Sequence, residues 1–221
     1  MKRDKKCLTR IYRDPENESL ANHFMIWYSI PMNIFRVSND PAESAQQLCD
    51  KHIVKMPSES GLMLSTAHRV LDGVPVKRLS KTGKRVLTYY THPDDDILYK
   101  AAYCNHPSTL WTRESRANYL WHYNFFIAMC EEYTYRYGRV HGTQIKLAEY
   151  LATPPKNIPD IGETPLRLAM KAHPECEVPG DAVTSYRNFY VTKEFSMIWT
   201  KRKIPDWFAL TPPESCGNVS T

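Results

Sequence analysis

The stretch Asp50-Lys51-His52-Ile53-Val54-Lys55-Met56-Pro57-Ser58-Glu59 gathers two acids, a histidine and two lysines within ten residues. These are side chains that carry proton transfer and amine chemistry. A glutamate whose pKa is lifted by burial acts as general acid and base. A lysine kept as the free base attacks a carbon centre. The same residues also suit an ordinary solvated helix face, so the rest of the chain must decide between the two.

A second constellation is Glu114, Asn118 and His122. Their spacing of four puts them on one face of a helix. Facing inward, three such groups line a polar cleft or form a closed hydrogen-bonded network. In the plainer alternative Glu114 is exposed near a helix start and His122 is a satisfied core histidine. A third cluster is basic: Lys77, Arg78, Lys81, Lys84 and Arg85, with Arg113 and Arg116 further on. Guanidinium forks and ammonium charges grip phosphates. Tyr89, Tyr90, Trp111 and Trp207 lie in or beside polar sequence and could stack on bases. The net charge of +5 is too small to imply nucleic acid alone, so this reading rests on local clustering.

Other chemistries find little support. The eight histidines include no H-x-x-x-H or H-E-x-x-H pair, and an acidic run at Asp94–Asp96 beside His92 is the nearest thing to a ligand set. No metal and no cofactor is expected. There is no G-x-S-x-G, and Ser80-Lys81-Thr82-Gly83-Lys84 lacks the first glycine of a phosphate-binding loop. None of the six cysteines forms a C-x-x-C pair. Reduced cysteines in a cytoplasmic protein (host cytoplasm if viral) are expected. No apolar run reaches the 18 residues of a membrane-spanning helix.

The elements that must position these groups can be read from caps and periodicity. Residues 1–31 read as an N-terminal extension, residues 32–208 as a helical core and residues 209–221 as a disordered tail. Asn33–Ser38 reads as a short strand. Asp40 caps a helix with Pro41 at its first position and Glu43 three after the cap. That helix is expected to run to about Met56 and to stop or kink at Pro57, with a second helix from Glu59 to Leu71. Val74–Leu79 and Val86–Thr91 suit a hairpin. A short helix is expected at Ile97–Tyr103. The longest helix, Arg113–Tyr137, is apolar around most of its girth and ends at Gly138. Further helices are expected at Thr143–Leu151 and from Ala182 to Trp199, with one turn at Leu166–Lys171. The fold class is mainly α, a single-domain bundle around a long central helix with one or two short strands.

Leu48-Cys49-Asp50-Lys51-His52, with Glu59 seven residues after the histidine, resembles the pyrimidine-dimer DNA glycosylases of the endonuclease V type found in T-even phages. A short apolar segment before that helix, a long aromatic helix and an aromatic, basic C-terminal stretch have counterparts at Asn33–Val37, Arg113–Gly138 and Trp199–Phe208. The core from Met32 to Phe208 is also similar to a protein type of tailed phages. The resemblance implies a helical protein that binds damaged duplex DNA, breaks a glycosidic bond through an imine and then cuts the strand. It implies Glu59 as the acid–base group, His52 as a group that positions the DNA, and the α-amine of the mature N-terminus as nucleophile. That amine would belong to Asn33 in a chain starting at Met32 and losing it. An α-amine, with a pKa near ~8 against ~10.4 for lysine, is far more often a free base. Two positions depart from the family. Arginines flanking its catalytic glutamate fall here on Ser58 and Leu62, and 31 residues precede Met32. Lys51 or Lys55 could replace them as amine or phosphate contact.

The expected activity is therefore that of a DNA glycosylase and AP lyase acting on damaged or modified pyrimidines. Two alternatives remain open. One is a non-catalytic nucleic-acid-binding or host-interaction protein. The other is a nucleotide- or base-modifying enzyme built on Glu114, Asn118 and His122.

Overall fold

The computed structural model describes residues 32–209 except 81, 85, 194 and 195. The expectations for residues 1–31 and 210–221, and for Lys81 and Arg85, lie outside the described residues. Among those described, seven α-helices and one two-stranded antiparallel sheet form the mainly α fold expected. No described helix is long and apolar enough to cross a membrane.

Asp40 starts helix α1, Pro41–Gln47, by accepting the Glu43 N–H at 2.7 Å. The expected run to Met56 does not occur. Leu48 is extended, and the chain re-enters a helix, α2, at Asp50. This break turns Asp50 toward partners far along the chain. Its carboxylate accepts from Arg136 at 2.8 Å, the Thr200 N–H at 2.9 Å and the Thr200 hydroxyl at 2.6 Å.

Helix α2, Asp50–Asp72, passes straight through Pro57. A proline here removes a hydrogen bond and crowds the preceding turn, at about 3 kcal/mol. The disturbed turn is supported from outside, because His141 Nε2 donates to the Val54 carbonyl at 3.2 Å. Burial of α2 against the helices around it offsets the rest. Gly61 permits a close approach to the helix Gly142–Leu151, since a Cβ there would lie 2.6 Å from a methyl of Thr143.

Strands β1, Val74–Leu79, and β2, Val86–Thr91, pair as a hairpin with Val74 opposite Thr91 and Leu79 opposite Val86. Arg69 anchors its base by donating to the carbonyls of Tyr90 at 3.1 Å and Leu98 at 3.0 Å and by pairing with Asp95. Residues 97–103 form turns and irregular chain rather than the expected helix.

The expected single helix from Arg113 to Tyr137 is two. Helix α3, Pro107–Glu114, ends at Ser115, whose extended backbone and side chain cap α4, Arg116–Tyr137. Ser115 Oγ accepts the Asn118 N–H at 3.0 Å. Gly138 closes α4 in the left-handed region, as its sequence position suggested. Helix α5 spans Gly142–Leu151, α6 spans Ala182–Val191 and α7 spans Asp206–Ala209. The expected extension of α6 to Trp199 is absent, and Leu166–Lys171 makes no helical turn. Asn33–Ser38 is buried but not a strand. Its N–H groups turn back on carbonyls two residues earlier, Arg36 to Ile34 at 2.9 Å and Val37 to Phe35 at 3.1 Å.

Helix α4 lies between two apolar clusters. One gathers Trp111, Phe125 and Met129 with Phe35, Ile53, Tyr186 and Tyr190. The other gathers Tyr119, Phe126 and Cys130 with Leu64, Leu147 and Leu151. Near its end, buried Arg136 bonds Glu132 at 2.6 Å, Asp50 at 2.8 Å and the Gln46 carbonyl at 3.0 Å. Arg202 closes on Glu132 from the other side at 2.8 Å. Replacing Arg136 by Met is expected to cost about 3–5 kcal/mol, because buried carboxylates lose their counter-charge. Urea unfolding measures this, and a loss under about 1 kcal/mol would show that the network does not carry the fold.

Candidate active site

Three pieces of chain build the site: the buried segment Asn33–Phe35, the first half of α2 and the end of α6. Asn33 locks the first piece in place. Its Oδ1 accepts the Tyr186 hydroxyl at 2.6 Å and the Ile34 N–H at 3.0 Å, and its Nδ2 donates to the Ala169 carbonyl at 3.2 Å. With the side chain committed, the Asn33 backbone N–H is left to act on Glu59.

Glu59 stands on α2 one turn after Lys55, whose ammonium lies 2.7 Å from Oε1. Oε2 is buried and makes no hydrogen bond of ordinary geometry. Burial raises the Glu59 pKa, while Lys55 and the Asn33 N–H pull it down. The net effect is a carboxyl group that ionises less readily than usual, as an acid–base group needs.

His52 lies one helical turn before Lys55 on the same helix. It is 1% exposed. Phe35 stacks on its ring with centroids 4.6 Å apart, and Tyr190 meets it edge-on at 5.0 Å. Its Nδ1 lies 2.6 Å from the Tyr190 hydroxyl, which also accepts the Cys49 N–H at 2.8 Å. Burial drops its pKa to about 3, helped by Lys55, Lys193 and Lys51. A neutral, covered ring does not reach a phosphate. The ring instead packs Phe35 against the start of α2.

Lys193 was not singled out from the sequence. It follows α6, and its Nζ sits 3.4 Å from the centroid of the Phe189 ring and 6.0 Å from that of Phe35. Burial, with Lys55 acting the same way and Cys176 opposing, lowers its pKa to about 8. At pH 7.5 about a quarter of such a lysine is free base, against roughly a thousandth at the ordinary pKa. No local sequence signal marks it, because the fold brings it to Phe35 from the far end of the chain.

The basic residues fall into groups. Lys51 is half-buried on the first turn of α2, and Lys55 is committed to Glu59. Lys77, Arg78 and Lys84 are exposed on the hairpin, and Arg116 is exposed at the start of α4. Arg113 turns inward and donates to the Cys104 carbonyl at 2.6 Å.

The expected stripe of Glu114, Asn118 and His122 does not form one face. The Ser115 break puts Glu114 on a different helix, where it pairs with Arg167 at 3.0 Å. Asn118 is fully buried. It donates to the Trp111 carbonyl at 2.9 Å and Thr164 Oγ1 at 2.7 Å, and it accepts the Thr164 N–H at 2.9 Å. His122 bridges Thr112 at 2.8 Å and Ser60 at 3.0 Å. Thr112 already donates its proton to the Ser108 carbonyl, so His122 Nδ1 is the donor and Nε2 accepts from Ser60. This is a closed core network behind α2, not a cleft.

Among the described residues Cys49, Cys104 and Cys130 are free thiols.

The buried histidines set an acid sensitivity. Burial brings His52 and His122 to about 3. Folded, both stay neutral; unfolded, both take up protons below about 6.5. The unfolded chain therefore binds more protons, and stability falls as pH drops below 6.5 toward 3. Between pH 8 and pH 5 each ring is expected to cost on the order of 1–2 kcal/mol. Denaturant titrations at the two pH values measure the drop, and His122→Gln should reduce it. A drop of unchanged size in that variant would place the protons elsewhere.

A family model described as pyrimidine dimer DNA glycosylase matches residues 32–145. The match covers more than half of the 221 residues and contains Asn33, His52 and Glu59. No curated protein and no solved structure matches the chain.

Proposed function

The chain belongs to the pyrimidine dimer DNA glycosylase family, and from that premise we propose that it excises a damaged pyrimidine from duplex DNA and cuts the strand at the abasic site. The observation that carries this reading is the largely covered Glu59 carboxyl, which pairs with Lys55 at 2.7 Å and feels the Asn33 backbone N–H.

An amine attacks C1′ as the C1′–N bond breaks, and the bonding pair leaves with the base, which takes up a proton. The attacking nitrogen loses a proton, and its lone pair then breaks the C1′–O4′ bond; the pair leaves on O4′, which takes up a proton, and an imine results. Glu59 is the group that donates and accepts these protons. As a carboxylate it then removes a C2′ proton, and the C3′–O bond breaks by β-elimination. Water hydrolyses the imine and restores the amine.

Which amine attacks depends on the nitrogen of residue 33. In a chain that begins at Asn33 it is an α-amine facing Glu59. In a chain that continues through Met32 it is a peptide amide, whose lone pair is delocalised and not nucleophilic. There the role falls to Lys193, whose lowered pKa and place beside Phe35 fit it for the task.

Lys77, Arg78 and Lys84 extend the contact along the DNA backbone. The hairpin begins after Asp72, about 20 Å along α2 from Glu59 at ~1.5 Å per residue. That separation is well within one ~34 Å turn of duplex.

Borohydride should trap a covalent adduct between the protein and a duplex bearing an abasic site. Glu59→Gln should slow strand cleavage by about 10²–10⁴-fold. In the chain carrying Met32, Lys193→Ala should abolish the adduct, whereas a form beginning at Asn33 should keep it. Absence of an adduct from both forms would overturn the enzymatic reading. Separately, replacing Lys77, Arg78 and Lys84 by Ala should weaken duplex binding and flatten its log–log salt dependence by about 2–3. An unchanged slope would remove the hairpin from the DNA contact.

A further inference from the structure

A second cluster stands apart from Glu59, where α2 ends and the hairpin returns. His68 and Asp72 are one helical turn apart on α2, and His92 follows β2. One nitrogen from each histidine and one oxygen of Asp72 all lie within 4.8 Å of one another. The sequence spacing conceals this set, because the hairpin carries His92 back to the helix it left.

The hydrogen bonds around His68 and Asp72 hold these two ligands as a metal needs them. The Tyr119 hydroxyl donates to the Leu151 carbonyl at 2.9 Å. His68 Nε2, 2.9 Å from that hydroxyl, must then be the donor, which leaves Nδ1 with its lone pair. Asp72 Oδ1 accepts from the Asn157 N–H and side chain, at 2.9 and 3.0 Å, while Oδ2 accepts only the Lys156 N–H at 2.7 Å. Oδ2 thus keeps a lone pair to give. His92 Nδ1 accepts the Asp94 N–H at 3.2 Å and lies 3.5 Å from Asp94 Oδ2, so coordination through Nε2 requires the ring proton to move to Nδ1, where it faces that carboxylate. Asp94 Oδ2 is itself fixed by the Tyr150 hydroxyl at 2.7 Å. Orientation of ligand histidines by hydroxyl and carboxylate partners is how protein metal sites set tautomer and aim.

We propose that His68, Asp72 and His92 bind a divalent transition-metal ion of the zinc type. Two imidazoles and one carboxylate match the borderline character of zinc, with a fourth position open to water. Bonds of ~2.0–2.2 Å place tetrahedral ligands about 3.4 Å apart, so small side-chain rotations close the cluster around an ion. The negative end of the α2 dipole adds attraction for a cation. An ion here ties the last turn of α2 to the end of β2 and sets the direction in which the hairpin projects.

The test uses the full chain, stripped with a chelator and titrated with Zn(II) by calorimetry and with Co(II) by visible absorption. One equivalent is expected to bind, with the d–d bands of a nitrogen- and oxygen-ligated ion and a rise in melting temperature on adding Zn(II). His92→Gln and Asp72→Asn each should lose at least tenfold in affinity and most of that rise, while both still melt cooperatively without metal. No binding at millimolar metal would overturn the proposal. So would binding that both variants retain, or a thiolate-to-cobalt charge-transfer band, which would assign the ion to cysteines.

Discussion

The buried guanidinium of Arg136 holds the structure in register. Its side chain is wholly covered, and water cannot relieve its charge. Left alone, such a charge would cost several kcal/mol; ringed by Glu132, Asp50 and the Gln46 carbonyl, it becomes a joint. The joint decides where α1 must end and α2 must begin. Asp50 cannot reach Arg136 and Thr200 while continuing α1, so the chain breaks at Leu48 and restarts. That restart fixes the rotation of α2, and with it the directions of His52, Lys55 and Glu59. A polar tie near one end of the long helix thus aims a site whose own residues never touch it.

Aromatic packing completes the aim. The Tyr190 hydroxyl holds the Cys49 N–H and His52 Nδ1 together, and Phe35 covers the other side of the ring. Phe35 in turn belongs to the segment that Asn33 clamps through Tyr186 and Ala169. Helix α6 supplies both tyrosines, so the C-terminal part of the chain sets the spacing between Asn33 and α2. Removing water from these contacts is also what lifts Glu59 and depresses Lys193.

Local chemistry made part of this legible. The Asp40-Pro41 cap, the Gly138 stop and the hairpin each declare themselves within a few residues, because caps and turns are short-range. The spacing from His52 to Glu59 pointed to the family. Long-range partners were hidden. Pro57 stays helical with the help of a histidine 87 residues beyond Val54, and His52 finds Tyr190 at a separation of 138. Ser115 could be read as one more polar residue in a long helix until its cap to Asn118 is seen, and that single cap removes Glu114 from the stripe. Lys193 had no local mark at all. Its chemistry comes from burial beside two phenyl rings, a property of the fold alone.

The charges of the site favour one particular movement of a proton. Lys55 repels a positive Lys193 and attracts a negative Glu59, so it ties the two titrations together. Burial disfavours charge on each of the outer groups. The lysine is pushed to give up its proton, and the carboxyl to keep one. In the proposed reaction Lys193 as free base would be the nucleophile and protonated Glu59 the acid, with Lys55 acting on both. Attack by an amine on C1′ needs that pairing, since the nitrogen must offer its lone pair while a nearby acid supplies the proton taken by the leaving base. Having given its proton to the leaving base, Glu59 would in that proposed reaction be the carboxylate that β-elimination requires. In water, lysine and glutamate sit about six pKa units apart and would rarely both be in the reactive forms. Burial moves the two toward each other and so raises the population of the reactive pair.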